Sequence, residues 1–418
     1  MITEIREEVL IYNNYLLLQG PKGFFFYKIA KFLKTLGKRV YKINFNGGDL
    51  ITFPIFSNIY NYRGKIENFE SYLKDFIFSK DIEVILLYGD YKPYHKIAVN
   101  LCKKLNIPIY VFEEGYVRPF YITLQKNGIN GWSSLPQNPE FYKSLPDIKI
   151  PEPLPVNFKY LKRVTCCVYH YFFLEFFRWY FPHYAHCKKY FPYIPWLFKY
   201  FRGLVRKVIY KSTEKKFLEL FTTKLKYKYF LIPLQVRNDT QITIHSKYAS
   251  IEDFITEVME SFAKNSKDDY YLVFKHHPED RGFKNYKKHI TKVSQRLGLE
   301  RKVFYVHDLH LPTLIKGSIG VIVVNSTVGL QALYHNRPVK VMGKAIYDMP
   351  GLTFQGSLDK FWQNPGKIDR KLFEKFRSYV IKTTQLNGSF YGRFPFEKEI
   401  LSSISLKTIS TDSSKLNR

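Results

Sequence analysis

The sequence of 418 residues contains few cysteines, namely Cys102, Cys166, Cys167 and Cys187. No Cys-x-x-Cys zinc spacing occurs, and the adjacent pair is poorly suited to bridging itself, so free thiols in a reducing compartment are the simple interpretation. The N-terminus has no basic region followed by an apolar one, and no uncharged apolar run reaches about 18 residues, the length that a membrane span requires. We therefore expect no secretory signal, no transmembrane helix and a cytoplasmic location.

Acidic residues are also scarce, with 36 Asp and Glu against 65 Lys and Arg, which gives a net charge of +29. Such an excess favours an anionic partner: nucleic acid, anionic lipid or a phosphorylated substrate. A general compositional bias toward Lys, Ile, Tyr, Phe and Asn is the alternative explanation for part of it. No RRM, KH or helix-turn-helix pattern occurs, so we expect no nucleic-acid partner.

Strand and helix patterns alternate in two stretches, from Tyr15 to Phe112 and from Tyr229 to Met342. This alternation predicts an α/β fold with two Rossmann-like, doubly wound domains facing a cleft, the GT-B-like arrangement, and a helical insertion between them. The predicted parts are an N-terminal Rossmann-like domain (1–135), a linker with an aromatic and basic segment (136–228), a C-terminal Rossmann-like domain (229–402) and a flexible tail (403–418).

The insertion has an unusual composition between Asn157 and Lys211. It contains 20 aromatic residues and 11 Lys or Arg, against the single acid Glu175. Aromatic and basic side chains together suit the headgroup region of an anionic membrane. The alternative is a helical insertion that is buried against the second domain.

Two polar motifs follow predicted strands of the second domain, where open α/β sheets bind ligands. The first is Lys275-His276-His277-Pro278, whose side chains can donate to a phosphate oxygen; a basic surface turn is the alternative. The second is Asn325-Ser326-Thr327-Val328-Gly329, where Ser326 or Thr327 can cap a helix whose first N–H groups attract anions. An ordinary N-cap is the alternative there.

Carboxylates occur at a predicted strand end of each domain. Glu113 and Glu114 precede Gly115, and Asp239 lies in the loop that follows the first strand of the second domain. A pair of carboxylates flanking one sugar is the arrangement used in glycosyl chemistry. The alternatives are an ion pair with Arg118 for one glutamate and an Asx turn for Asp239.

Two glycine-containing loops follow strands of the first domain, Gln19–Gly23 and Asn46–Asp49. Their glycines permit close approach of the backbone to a ligand, which makes acceptor binding a hypothesis. Neither loop has a dinucleotide fingerprint, and the sequence has no Walker A motif.

Taken together, these strings resemble the bacterial capsule-polysaccharide synthesis proteins of the KpsS/LipB type. The resemblance extends in order over roughly residues 15–350. It runs through Gln19-Gly20-Pro21, Asn46–Asp49, Glu113–Pro119 with Thr123 and Gly128–Gly131, Leu234-Gln235, Asp239–Gln241, Lys275–Pro278 and Asn325–Gly329.

The resemblance implies a retaining β-Kdo transferase, with residues 1–135 as the acceptor-side domain, 136–228 containing a membrane-associating segment and 229–402 as the nucleotide-sugar domain. Its donor would be CMP-β-Kdo, and its acceptor phosphatidylglycerol or the lyso form at the inner face of the cytoplasmic membrane. The product would start the poly-Kdo linker of a capsular polysaccharide, with other capsule-synthesis and export enzymes as partners. Neither a metal nor another cofactor is expected, and no Asp-x-Asp string occurs.

The resemblance also implies roles for individual residues. Asp239 would be the nucleophile and Glu114 the acid/base, with Glu113 as the other candidate. The CMP phosphate would be held by His277, Ser326 and Thr327, with His276, Lys275 and Asn325 beside them, and the rest of the cleft would be lined by Gln19, Gly20, Asn46, Asp49, Arg118 and Gln241. The alternatives are a non-catalytic capsule export or scaffolding protein, another CMP-sugar-dependent transferase, or a glycerol-phosphate transferase.

Overall fold

The computed structural model describes residues 3–54, 57–157, 160–186, 193–237, 242 and 245–396. The strands are β1 (Asn14–Leu17), β2 (Arg39–Asn44), β3 (Ile59–Asn61), β4 (Val84–Tyr88), β5 (Ile109–Glu114), β6 (Tyr121–Lys126), β7 (Tyr229–Pro233), β8 (Tyr271–Lys275), β9 (Val303–Val306), β10 (Gly320–Val323), β11 (Val339–Val341) and β12 (Gln385–Asn387).

The α-helices among the described residues are α1 (Ile5–Glu8), α2 (Phe25–Thr35), α3 (Gly47–Ile51), α4 (Phe69–Ser79), α5 (Pro93–Leu105), α6 (Pro139–Ser144), α7 (Tyr160–Phe176), α8 (Tyr193–Thr213), α9 (Lys215–Thr222), α10 (Ile251–Asn265), α11 (Lys287–Leu297), α12 (Leu311–Gly317), α13 (Val328–Tyr334), α14 (Leu358–Phe361) and α15 (Arg370–Thr384). None of the described helices is long and apolar enough to cross a membrane.

The first sheet has the strand order β12-β6-β5-β4-β1-β2-β3. Strands β3, β2, β1, β4 and β5 are parallel, whereas β6 and β12 run antiparallel at one edge. Alternate residues of β1 enter two hydrophobic clusters: Leu17 packs in one with Ile29 of α2, and Leu16 in the other with Leu73 of α4. Helices therefore cover both faces, as in a doubly wound fold.

The second sheet has the order β11-β10-β7-β8-β9, and all its strands are parallel. Buried Phe230 and Ile232 of β7 pack in one core cluster with Phe254 and Val258 of α10. In both sheets the strand order reverses beside the first strand, which is the Rossmann pattern. The two sheets confirm the predicted fold class of two Rossmann-like α/β domains.

The chain divides into two compact units. Among the described residues, unit 1 comprises the chain up to Ser134, residues 150–186 and the segment from Val380; unit 2 comprises 135–149 and 193–379. These limits differ from the predicted ones because α7 packs in unit 1 and because β12 returns to pair with β6. The described part of the aromatic and basic segment contains two helices, α7 in unit 1 and α8 in unit 2.

Two local features of unit 1 differ from the sequence reading. Residues 47–49, read as a turn, begin the short helix α3, because the Asn46 side chain accepts from the N–H of Asp49 and caps it. The alternation of strand and helix patterns ends at Phe112 in the sequence, but β6 follows β5 antiparallel, and Glu113 and Glu114 pair with Thr123 and Ile122.

Candidate functional site

The Lys275–His276 pair at the end of β8 is buried in unit 2. The Lys275 ammonium donates to the carbonyls of His276 and His307, and burial lowers its pKa to about 8. His276 donates its N–H to the Val306 carbonyl at 2.7 Å, and its Nδ1 lies 2.7 Å from the Tyr305 hydroxyl. Burial and the neighbouring His307 lower the pKa of His276 to about 3, so this ring is neutral at physiological pH.

His277 is more accessible than His276 and begins a single 3₁₀ turn, Pro278–Asp280. Its Nδ1 accepts from the Glu279 N–H at 3.2 Å. Because that nitrogen supplies a lone pair, the proton of the neutral ring lies on Nε2. An imidazole N–H of this kind is a donor that suits a phosphate oxygen.

The Asn325–Thr327 loop follows β10 at the point where the strand order reverses. Gln235 and Asn325 exchange two hydrogen bonds, from Gln235 Nε2 to Asn325 Oδ1 at 3.1 Å and from the Asn325 N–H to Gln235 Oε1 at 3.4 Å. The Ser326 hydroxyl accepts from the Val328 N–H at 3.2 Å, but Thr327, the residue at the N-cap of α13, makes no side-chain capping hydrogen bond. These contacts fasten the ends of β7 and β10 together at the topological switch point, where ligands bind in this fold.

The loop after β7 is anchored by a buried carboxylate. Asp280 accepts from the Arg237 N–H at 2.6 Å and from its guanidinium at 2.7 Å, and that guanidinium lies 4.1 Å from the centre of the Phe283 ring. These contacts hold Arg237 in place, two positions before the predicted nucleophile. Asp239 itself, with Gln241, lies outside the described residues.

A buried glutamate–histidine pair lies near β9, and the sequence analysis does not predict it. The Glu214 carboxylate accepts from the N–H groups of His307 and Asp308 at 2.9 Å and from His307 Nδ1 at 2.7 Å. Burial opposes ionisation of Glu214, but these donors outweigh it and lower its pKa. Tyr210 stacks on the His307 ring, with the centroids 3.8 Å apart and the planes 9° from parallel. No sequence motif signals this pair, because its members are 93 residues apart.

In unit 1, Gln19 and Asp49 lie in a buried hydrogen-bond network at the ends of β1 and β2. Gln19 Nε2 donates to Asp49 Oδ2 at 3.1 Å and to the Tyr184 hydroxyl at 2.9 Å, and Asp49 Oδ2 also accepts from the Phe45 N–H. The Gln19 N–H donates to Nε2 of His95, whose pKa is held well below its usual value by burial and by Lys92. The network brings together the predicted residues Gln19, Asn46 and Asp49.

The glycines of these loops lie in close contact with other parts of the protein, so a side chain at their positions would clash. A Cβ on Gly47 would lie 2.1 Å from the Phe173 carbonyl oxygen of α7, and one on Gly48 would lie 2.3 Å from His170 Nδ1. A Cβ on Gly20 would meet the Phe26 ring at 2.7 Å. These glycines therefore allow helices α7 and α2 to approach the backbone of the loops closely.

Glu113 and Glu114 lie at the end of β5, beside polar groups at the end of β4. Burial raises the pKa of Glu113 to about 7, and the charges of Glu114 and Asp90 act in the same direction. Burial likewise raises the pKa of Asp90 to about 6, and its carboxylate accepts from the Ile129 N–H at 3.0 Å. Glu113 is therefore poised to exchange a proton near neutral pH, as an acid/base requires.

The loop after Glu114 is held by β12. Gln385 Oε1 accepts from the N–H groups of Tyr116 and Val117 at 3.0 and 3.4 Å, and its amide donates to Thr123 Oγ1 at 3.1 Å. Arg118 donates from Nε to the Gly115 carbonyl at 3.3 Å. Gln385 positions this loop from the far end of the chain, and nothing in its local sequence indicated that role.

Among the residues that the structure describes, no group of three or more His, Cys, Asp or Glu side chains is placed to hold a metal ion.

Comparisons with known proteins agree on one family. The family model described as "Capsule polysaccharide biosynthesis protein" matches residues 83–391. The chain is 41% identical over 382 residues to the Escherichia coli "Capsule polysaccharide export protein KpsS", covering 91% of this chain and 97% of that protein. It is 35% identical over 414 residues to the "Capsule polysaccharide modification protein LipB" of Neisseria meningitidis serogroup A, covering 95% and 96%. The solved structure described as "Thermosulfurimonas dismutans KpsC, beta Kdo 2,7 transferase" aligns with a TM-score of 0.42 and 16% identity, over 95% of this chain and 100% of that one.

Proposed function

Since the chain belongs to the capsule polysaccharide biosynthesis protein family, we propose that it is a retaining glycosyltransferase of capsule assembly. Its donor is CMP-β-Kdo, and its acceptor is phosphatidylglycerol or lysophosphatidylglycerol at the inner face of the cytoplasmic membrane. The product is the first Kdo of the linker, which other capsule-pathway enzymes extend. The observation that carries the proposal is the Asn325–Thr327 loop at the switch point of unit 2, which the Gln235–Asn325 pair joins to the end of β7.

The first step is departure of CMP. A carboxylate oxygen of Asp239 forms a bond to the anomeric carbon of Kdo, and the bond from that carbon to the phosphate oxygen breaks with its electron pair. CMP leaves with the negative charge on its phosphate. The His277 ring stabilises this charge as it develops, with Ser326, Thr327 and the dipole of α13 beside it.

The second step transfers the sugar to the lipid. A hydroxyl of the lipid glycerol gives its proton to a glutamate at the end of β5, its oxygen bonds to the anomeric carbon, and the Asp239 carboxylate is released. Two inversions at one carbon retain the β configuration. The resemblance assigns the proton transfer to Glu114, whereas the pKa of about 7 favours Glu113. Glu113→Gln and Glu114→Gln, compared in the same assay, distinguish them.

One assay tests the whole proposal. CMP-Kdo generated in situ and a fluorescent phosphatidylglycerol are incubated with the wild-type protein, and the lipid product is followed by chromatography. We expect product from the wild type and a loss of about 100-fold or more with Asp239→Ala, because removal of a nucleophile acts on the chemical step itself. Normal turnover by Asp239→Ala would exclude the covalent route. Mass spectrometry of Glu114→Gln and Glu113→Gln after incubation with the donor alone should reveal the Kdo adduct on Asp239.

A non-catalytic role in export is the second candidate, because the Escherichia coli relative is named an export protein. Binding of CMP distinguishes the two. A transferase is stabilised against thermal unfolding by CMP through linkage, whereas a scaffold without a nucleotide site shows no shift. His277→Ala should remove most of the CMP shift, and His289→Ala, in helix α11, is the control.

A further inference from the structure

Helix α8, which belongs to unit 2, turns polar side chains toward the rest of that unit. Arg202, Arg206 and Tyr210, and Glu214 just beyond the helix, are spaced four residues apart and share one side of it. Arg202 Nε donates to the Gly282 carbonyl at 3.0 Å, and Arg206 donates to the Arg281 carbonyl at 2.8 Å. Tyr210 and Glu214 bind His307, as described above. The helix is therefore fastened to unit 2 by a polar stripe.

Helix α8 packs so closely against the loop after β8 that glycines occupy the contact. A Cβ on Gly282 would lie 1.8 Å from the Lys199 carbonyl oxygen, and one on Gly203 would lie 3.3 Å from the Gly282 nitrogen. The inner side of the helix thus runs through Lys199, Gly203 and Arg206. Its orientation on unit 2 is set by backbone contact as well as by the polar stripe.

The outer side of α8 is apolar and exposed. Phe198, Phe201, Val205 and Val208 follow the three- and four-residue spacing of one helix side, and their exposed fractions are 73, 66, 46 and 72%. Ile209 beside them is 51% exposed. A helix on the surface of a globular protein normally has the opposite polarity, with its apolar side inward. A contiguous apolar side that faces outward marks an interaction surface.

The charges around this side indicate the partner. Lys207, Lys211, Lys215 and Lys216 are all exposed, and Glu214, the one acid between residues 193 and 216, is buried. A protein partner would need its own acidic rim around an apolar centre, whereas an anionic bilayer supplies both features everywhere on its surface. Apolar insertion combined with lysines at the level of the headgroups is the pattern of an interfacial helix.

We propose that α8 is an inside-out amphipathic helix that inserts its outer side, Phe198, Phe201, Val205 and Val208, into the interface of an anionic lipid bilayer. The inner polar stripe bonds the loops that follow β8 and β9, so insertion holds the Lys275–His277 edge close to the bilayer. This proposal deepens the function proposed above, because a transferase with a lipid acceptor must work at such a surface. It predicts lipid binding by the protein whether or not transfer occurs.

Vesicle flotation of the full chain tests the surface. Vesicles contain phosphatidylcholine alone or with phosphatidylglycerol at about one third, and the variant is Phe201→Asp/Val208→Asp. We expect wild type to bind the anionic vesicles, and the double variant to lose at least about tenfold in partition coefficient, because two charges enter the interface in place of apolar groups. The matched control is Ile11→Asp/Phe78→Asp, since these unit 1 side chains are also 66 and 60% exposed. We expect it to bind as wild type does.

Two further measurements keep the result interpretable. Thermal unfolding and the CMP-induced shift of the double variant should match wild type, because the substituted side chains point away from unit 2. Equal flotation of the double variant and wild type would overturn the proposal. So would light scattering that shows a wild-type dimer broken by the double variant while flotation is unchanged, since the apolar side would then bind a second copy. Flotation that depends on α8 in a protein without transferase activity would uphold this surface and reject the proposed function.

Discussion

Replacing Glu214 by glutamine should destabilise unit 2 without changing the shape of the side chain. The carboxylate is 5% exposed and accepts from three donors, the N–H groups of His307 and Asp308 and the His307 ring. Glutamine keeps one acceptor oxygen and turns an NH₂ group toward a donor, so at least one hydrogen bond to a charged group is lost. Such a bond contributes about 1.5–3 kcal/mol, and we expect a loss of about 2–4 kcal/mol.

The expected change is measurable by calorimetry and by urea unfolding. For a unit of this size, 1 kcal/mol corresponds to about 2–4 °C, so the unfolding transition of unit 2 should fall by about 4–16 °C. The matched control is Glu219→Gln, because Glu219 is an exposed glutamate on α9, next along the chain. Its transition should stay within about 1 °C of wild type, since exposed side chains contribute little.

The pH dependence gives an independent check. The pKa of Glu214 in the folded state lies below its ordinary value of 4.5. Its contribution to stability is therefore complete above about pH 4.5 and is lost as the pH falls through the lower folded-state pKa. Below that pH, wild type and Glu214→Gln should converge. A Glu214→Gln protein that unfolds like wild type at pH 7 would refute the inferred role of these hydrogen bonds.

Three more predictions follow from buried contacts. Burial raises the pKa of the Glu113 carboxyl from 4.5 to about 7, so its contribution to stability is complete below about pH 4.5 and is lost as the pH rises toward 7. Glu113→Gln should therefore raise the stability above pH 7 and flatten its pH dependence. Thermal unfolding between pH 5 and 8 measures this change. Gly47→Ala should cost about 1–3 kcal/mol, because its Cβ would overlap the Phe173 carbonyl oxygen, and urea unfolding would detect the change. Asp280→Asn should cost about 1.5–3 kcal/mol by removing a charged acceptor from Arg237, and a calorimetric transition equal to wild type would contradict this.

Much of the architecture follows from local sequence. Helix α13 (Val328–Tyr334) and strands β4 and β9 lie within the two stretches in which strand and helix patterns alternate, because apolar spacing and flanking turns are local signals. The motif at Lys275–Pro278 also begins at a strand end, as expected. The resemblance to the KpsS/LipB type, drawn from a few strings, is confirmed by the family match and by relatives at 35–41% identity.

Other elements escaped the sequence reading for physical reasons. Strand β12 has three residues and exists because β6 offers it an edge, so its own sequence carries little signal. The helix α3 depends on one cap and five residues. The roles of Asp239 as nucleophile and of Glu113 or Glu114 as acid/base remain predictions that the assays above address.

The sequence alone determined the alternation of strands and helices, the polar strings after the strands and the unusual composition of the middle segment. Periodicity and turn chemistry act over a few residues, so they can be recognised from the sequence alone. Only the tertiary structure decided that Glu214 binds His307, that the glycines at 47 and 48 admit α7, and that α8 turns its arginines inward and its phenylalanines outward. Those outcomes depend on which surfaces meet after folding, and residues up to 93 positions apart meet there.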